Sequence, residues 1–167
     1  MMKLLFLLLT VVIAASCSHS YYIVRHAEKD QVDGNNAKDP ALSEAGKVRA
    51  IVLRDELKSK HIRYIFSTNT MRAKSTAQPL SDATGVQVTL YGSTDSLVVQ
   101  LAQMKKRNAL IVGHSNTVDD IVNKLCGETK ISNDLSETQF DNLFIITYKG
   151  KKITFSRHKY GYPSNPE

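Results

Sequence analysis

Three short stretches of this chain carry side chains able to act on a charged substrate: Arg25-His26, Arg72 and Gly113-His114-Ser115. Guanidinium groups are planar, stay charged at every working pH and grip a tetrahedral oxyanion as bidentate forks. A neutral imidazole is a nucleophile able to carry a covalent intermediate. A second imidazole at the same anion adds a donor where charge develops. The N-terminus of a helix after His114 adds backbone N–H groups. An in-line nucleophile with cationic groups around the equatorial oxygens is the arrangement phosphoryl transfer requires. A metal ion is not required. Two histidines among arginines make a poor zinc site, because the arginines repel a dication, and neither HExxH nor CxxC spacing occurs.

These residues lie far apart in sequence, so the fold has to bring them together. Short apolar segments alternate with amphipathic ones. Tyr21 to His26 reads as a strand that ends in the first reactive pair. A polar loop, Gly34 to Pro40, precedes a helix over about Ser43 to Ser59, capped by Ser43 and patterned by Val48, Ile51, Val52 and Leu57. Ile62 to Ser67 is a second strand. It leads into a helix from Thr70 to about Thr84 that carries Arg72, and Pro79 is expected to end or kink that helix. Val86 to Tyr91 reads as a third strand, and Leu97, Leu101 and Met104 mark a third helix ending in the basic run Lys105-Lys106-Arg107. The continuous apolar run Ala109 to Gly113 fits a strand covered on both faces and delivers His114. Thr117 to Leu125 is a fourth helix closed by Gly127. Phe140 to Tyr148 and Lys152 to Arg157 form a late hairpin around Lys149-Gly150-Lys151. This order predicts an α/β fold: a three-layer sandwich with a mostly parallel central sheet flanked by helices, the late strands antiparallel. Ligands of such sheets bind at the carboxyl edge, where His26, Arg72 and His114 all fall.

The chain has 167 residues, 42% of them hydrophobic and 23% charged, which suits one globular domain and excludes a disordered chain or a fibrous repeat. With two cysteines there is no disulfide framework, and Cys126, in an apolar pattern, reads as a packing residue. The formal charge of +6 suits anionic partners. Nucleic acid is not expected, because aromatic and basic residues are not interleaved and no known module is present.

The N-terminus reads as an address. Lys3 precedes an apolar run from Leu4 to Ala15, interrupted only by Thr10. This is shorter than the roughly 20 residues a spanning helix needs and fits the apolar core of a signal peptide. Ala14-Ala15-Ser16-Cys17 resembles a bacterial lipobox, with Ala14 where leucine is usual. Residues 1–16 are therefore expected to be a lipoprotein-type signal and 17–167 a single domain. That domain would be attached through lipidated Cys17 in the bacterial cell envelope, facing the periplasm or exterior.

Four segments together resemble the histidine phosphatase (phosphoglycerate mutase-like) superfamily. Tyr22-Ile23-Val24-Arg25-His26-Ala27-Glu28-Lys29 resembles its R-H-[GA]-E motif, and Leu42-Ser43-Glu44-Ala45-Gly46 its L-[TS]-x-x-G helix start. Ser67 to Ala77 resembles its S-x4-R-[AT]-x-x-T-A segment, and Val112-Gly113-His114-Ser115-Asn116-Thr117 its V-G-H-S-N-T motif. The segments keep the family's order and reach from Tyr22 to about Gly127. The resemblance implies an α/β sandwich and a phosphatase that needs no cofactor and no metal. His26 would be the nucleophile that becomes phosphohistidine, Arg25 and Arg72 would grip the phosphoryl oxygens, and His114 would stabilise the transition state. Ser67, Ser115 and Asn116 either donate to phosphate or cap local structure, and Ser115 is taken as phosphate-binding.

The pattern departs from the family at the proton donor. In the mutase-like branch a glutamate lies between the arginine helix and the second histidine, but from Ala73 to Gly113 the only carboxylates are Asp82 and Asp95. In the acid phosphatase-like branch an aspartate follows the second histidine, where Ser115 stands here. The general acid is thus open among Asp95, Glu28 and Asp39. Without a strong acid, good leaving groups are expected: phosphohistidine, acyl or aryl phosphates and phosphoanhydrides, on small molecules or phosphoproteins. The alternative is a non-catalytic lipoprotein that binds phosphate or a phospholigand in the same pocket. The chain has little room for the long insertions of the mutases.

Overall fold

Strand β1 (Ser18–Arg25) sends alternate side chains to opposite faces of the sheet, and both faces are covered. Tyr21 and Ile23 join one buried cluster with Leu97, Val118, Ile121 and Phe144, whereas Tyr22 and Val24 join another with Leu53, Ala73, Ala77 and Leu80. In the computed structural model, which describes residues 18–30 and 39–164, one sheet runs in the order β3-β2-β4-β1-β5-β6. The remaining strands are β2 (Tyr64–Ser67), β3 (Val88–Leu90), β4 (Ala109–Gly113), β5 (Asn142–Lys149) and β6 (Lys152–Lys159). The first four strands in chain order pair in parallel, and β5 and β6 are antiparallel additions beside β1. Helices α1 (Glu44–Leu57) and α2 (Met71–Thr84) cover one face; α3 (Thr94–Gln103) and α4 (Val118–Cys126) cover the other. The expected three-layer architecture and the Gly150-Lys151 hairpin are both present. The proposed leader, Cys17 and residues 31–38, which take in most of the polar loop, lie outside the described residues.

Two local expectations are corrected. Pro79 does not end α2, which continues to Thr84 and closes on Gly85 in the left-handed region. Ala73 and Ala77 before the proline and Leu80 after it are all buried, and this packing outweighs the one backbone bond that a proline forfeits. The apolar stripe of α1 is also rotated from the one read in the sequence. Val48 and Ile51 are 44% and 43% exposed, while Gly46, Arg49, Ala50, Leu53 and Leu57 face inward.

The rotation has a cause. Helix α1 starts against the segment just after His26, with the Ser43 amide donating to the Glu28 carbonyl at 3.0 Å and the Ser43 hydroxyl capping the Gly46 amide at 3.2 Å. A Cβ on Gly46 would lie 2.1 Å from that same Glu28 carbonyl oxygen. Gly46 is therefore required for close approach rather than for an unusual φ. Gly46→Ala must push α1 away from the segment that follows His26, at a cost of about 3 kcal/mol. The expected result is a fall in Tm of about 10 °C by circular dichroism.

Candidate active site

The parallel register of β1 and β4 sets Arg25 opposite Gly113, so the strands end together and His26 and His114 emerge side by side. The His26 amide donates to the Gly113 carbonyl at 2.9 Å, and the two imidazole centroids are 5.3 Å apart. Arg72 reaches the same place from the first turn of α2, which Thr70 caps. Thr76 ties that helix to the histidine: its hydroxyl accepts from the Ala27 amide at 2.9 Å and donates to the Arg72 carbonyl at 2.8 Å.

Partners fix the tautomer of each histidine. His26 Nδ1 lies 2.8 Å from the Ala27 carbonyl, which only accepts, so Nδ1 carries the proton. His26 Nε2 receives the Arg72 Nε–H at 3.2 Å, so its lone pair points at the arginine. Burial pushes the His26 imidazole down to about 3. The Ala27 hydrogen bond opposes that shift, and the nearby Arg25, His114 and Arg72 reinforce it. The ring is thus neutral at neutral pH. In His114, Nδ1 faces Arg72 Nη2 at 3.5 Å and Nε2 lies 2.8 Å from the Thr68 hydroxyl. Burial first, then Arg72 and Arg25, holds this imidazole below the usual histidine range.

Arg25 is buried beneath the pocket, 2% exposed, with its guanidinium carbon 4.3 Å from the Phe140 ring centroid. It donates to the Ser136 carbonyl at 2.7 Å and to the Glu137 carboxylate at 2.8 Å. The other Glu137 oxygen accepts from the Ser115 hydroxyl at 2.7 Å. Ser136, Glu137 and Phe140 lie between α4 and β5, in a polar stretch without periodicity, and nothing in their spacing marked them. The helix-terminus donors expected after His114 are largely committed, because the Thr117 and Val118 amides both turn to the His114 carbonyl.

The three candidate acids have different surroundings. Asp39 lies beside Arg72, with one oxygen 3.3 Å from Nη1 and the other accepting the Met71 amide at 2.7 Å. Glu28 is clamped by Arg49, whose Nη2 is 2.6 Å away and whose Nη1 holds the Tyr160 carbonyl. Asp95 pairs with Lys124 at 2.6 Å, near the far end of α4 from His114. Cys126 is a buried free thiol in the apolar core. Among the described residues, no group of three or more His, Cys, Asp or Glu comes together as a metal site would need. A groove of about 920 Å³ adjoins the site at Glu137 and Phe140 and runs along Val48 and Val52 to Tyr162; His26 and His114 do not line it.

Glu137 places a carboxylate on two groups that a phosphate would use. It is 69% exposed, so its repulsion of an anion is modest. Glu137→Gln keeps the shape and an acceptor for Ser115 while removing the charge. Inorganic phosphate is expected to inhibit this variant about 3- to 5-fold more tightly, read as a product-inhibition constant. Unchanged or weaker inhibition would show that the carboxylate serves only to hold Arg25.

A neutral imidazole, two guanidinium groups and a second imidazole stand together at the carboxyl edge of an α/β sheet, the arrangement expected of a histidine phosphatase. Residues 21–92, which include His26 and Arg72, match the model of the histidine phosphatase superfamily (branch 1). Among curated proteins there is no match. Several solved structures share the fold. SixA from Agrobacterium tumefaciens is 17% identical, with 86% of this chain and 98% of that one covered and a TM-score of 0.60. The protein histidine phosphatase SixA in complex with tungstate is also 17% identical, covering 84% and 96%, with a TM-score of 0.66. A mycobacterial glucosyl-3-phosphoglycerate phosphatase is 15% identical, covering 86% and 99%, with a TM-score of 0.60.

Proposed function

We propose that this chain is a metal-independent phosphatase that works through a phosphohistidine on His26 and favours substrates with good leaving groups. The observation that carries the reading is the His26 tautomer. Its proton is held on Nδ1 by the Ala27 carbonyl, so the Nε2 lone pair faces Arg72. A phosphoryl group seated among Arg72, Arg25 and His114 presents phosphorus to that lone pair. Nε2 forms a bond to phosphorus while the bond to the leaving atom breaks, and the electron pair departs with the leaving group. The phosphorylated ring is cationic, with its Nδ1–H still on the Ala27 carbonyl. Water then attacks phosphorus, the P–N bond breaks, phosphate leaves, and the water proton passes to solvent.

The surroundings of the candidate carboxylates support a preference for good leaving groups. Asp39 is paired with Arg72, Glu137 with Arg25, Glu28 with Arg49 and Asp95 with Lys124. Each of these carboxylates is committed to a cation rather than free to hand a proton to the leaving group, which must then depart largely unaided. The same pairing favours a second reading, in which the pocket only binds phosphate or a phospholigand. Substrates would be small phosphorylated molecules or phosphoproteins, and the SixA likeness favours phosphohistidine among them. As part of the same proposal the chain is exported and anchored through Cys17 in the bacterial envelope.

The test is hydrolysis of an aryl phosphate by the full chain in excess chelator, beside an alkyl phosphate. Chelator-resistant turnover with the aryl ester at least about 100-fold faster is expected. Comparable rates on both esters overturn the leaving-group preference. No turnover with phosphate still bound turns the assignment to the binding module.

A further inference from the structure

We propose that the sheet edge opposite the catalytic one is a docking surface for an anionic lipid bilayer. It holds the chain with its active site turned away from the membrane. This extends the proposed envelope location and is independent of whether the pocket hydrolyses phosphate.

Three segments meet at that edge. Asn108 ties the first two together: its carbonyl accepts from the Arg63 amide, and its side-chain amide donates to the Lys60 carbonyl. Asn108 also accepts the Ser20 amide, which brings in the start of β1. Ser18 in turn pairs with Lys149, at the mouth of the β5–β6 hairpin. The first segment contributes Lys60 and Arg63, and the second contributes Lys105, Lys106 and Arg107, all exposed. The third contributes Lys149, Lys151 and Lys152, also exposed. Among the described residues, none of these eight cations is within salt-bridge distance of a carboxylate.

Acidic residues at the same end do not cancel them. Asp55 is held by Arg54 and Lys58 and Glu128 by Lys130, which leaves Glu56 and Asp82, the latter accepting only from the neutral Gln78 amide, against eight unpaired cations. Clustered unpaired lysines and arginines on one face attract anionic lipid headgroups. An apolar recess of about 500 Å³ opens beside Lys106 and Gly150, walled in part by Leu101, Met104 and Tyr148, so the basic cluster borders an apolar depression.

Chain direction selects a membrane over other polyanions. Ser18, the first residue of β1, stands on this edge, and the apolar run Leu4 to Ala15 and Cys17 lie immediately before it in sequence. Any attachment through that segment therefore arrives at the basic face. β1 has eight residues and rises about 3.3 Å per residue, so Arg25 and the pocket lie about 25 Å from this face.

The test uses the full chain with vesicles of phosphatidylcholine alone or of phosphatidylcholine mixed with phosphatidylglycerol. Lysine acylation is followed by mass spectrometry. On anionic vesicles, acylation of Lys105, Lys106, Lys149, Lys151 and Lys152 is expected to slow about 5-fold or more, and high salt should reverse the effect. Lys47 and Lys74, near the catalytic end, should label equally on both vesicle types. A K105E/K106E/R107E variant should lose protection at Lys149–Lys152 while keeping its aryl phosphatase rate. The lipid and salt comparisons with the unaltered chain decide the matter if that variant does not fold. Equal labelling on both vesicle types overturns the proposal, as does protection at Lys47 and Lys74 instead. Stronger protection by a single-stranded oligonucleotide than by anionic vesicles overturns the lipid assignment.

Discussion

His26→Ala is expected to lower kcat/KM on an aryl phosphate by at least about 10⁴-fold, because it removes the atom that forms the covalent bond in the proposed mechanism. Every other group in the pocket remains able to bind phosphate, so the inhibition constant for inorganic phosphate should change far less than the rate. Rapid quenching of the unaltered chain should trap an acid-labile, alkali-stable phosphoryl group, and the variant should trap none. The His26 ring is held down at about 3, so the nucleophile stays unprotonated from neutrality into the acid range. The phosphoenzyme burst should therefore persist to about pH 4, where an ordinary histidine is already cationic. If the burst instead fell away with an apparent pKa near 6.5, His26 would have to be solvated and the buried geometry wrong. Equal turnover in the variant would remove His26 from the mechanism.

The parts of this site that were legible in the sequence are those fixed by strand ends. β1 and β4 are continuous apolar runs, and each terminates at its histidine. Parallel pairing in register then brings the histidines together without any long-range signal in the sequence. Arg72 was legible for the same reason, one turn into the helix that follows β2. What was not legible depends on packing between segments with no shared period. Arg49 looks like a solvated helix residue, yet it is 5% exposed and joins Glu28 to the Tyr160 and Tyr162 carbonyls. That clamp ties Glu28 to α1 and the C-terminal segment, a set of contacts that its place two residues after His26 did not suggest. Glu137 is one carboxylate in a polar loop, and only the tertiary fold brings it to Arg25 and Ser115. The helical period of α1 identified a helix correctly but misjudged its buried face. Leu57 is buried and Val52 packs against the core as counted, but Val48 and Ile51 face outward, because Gly46 and Arg49 pack against Glu28.

Arg72 is expected to give the second large effect, and its loss differs in kind from that of His26. One guanidinium makes three contacts: Nε to His26 Nε2 at 3.2 Å, Nη1 to Asp39 at 3.3 Å and Nη2 to His114 Nδ1 at 3.5 Å. A phosphoryl oxygen arriving between the histidines can take over donors now spent on the two rings, so binding the substrate also frees the Nε2 lone pair. Charge on the equatorial oxygens in the transition state then lies against a cation already in place, which needs no reorganisation. Arg72→Ala removes the grip and the release together, and kcat/KM should fall about 10³-fold, mostly in kcat. Arg72→Lys keeps the charge but not the fork, and it should recover no more than about tenfold of that loss. Here the Arg72 charge is one of the forces lowering the His26 pKa, so its removal should raise that pKa, read by NMR of labelled histidine. An unshifted His26 together with a near-normal rate would show that Arg72 serves the helix rather than the phosphoryl group.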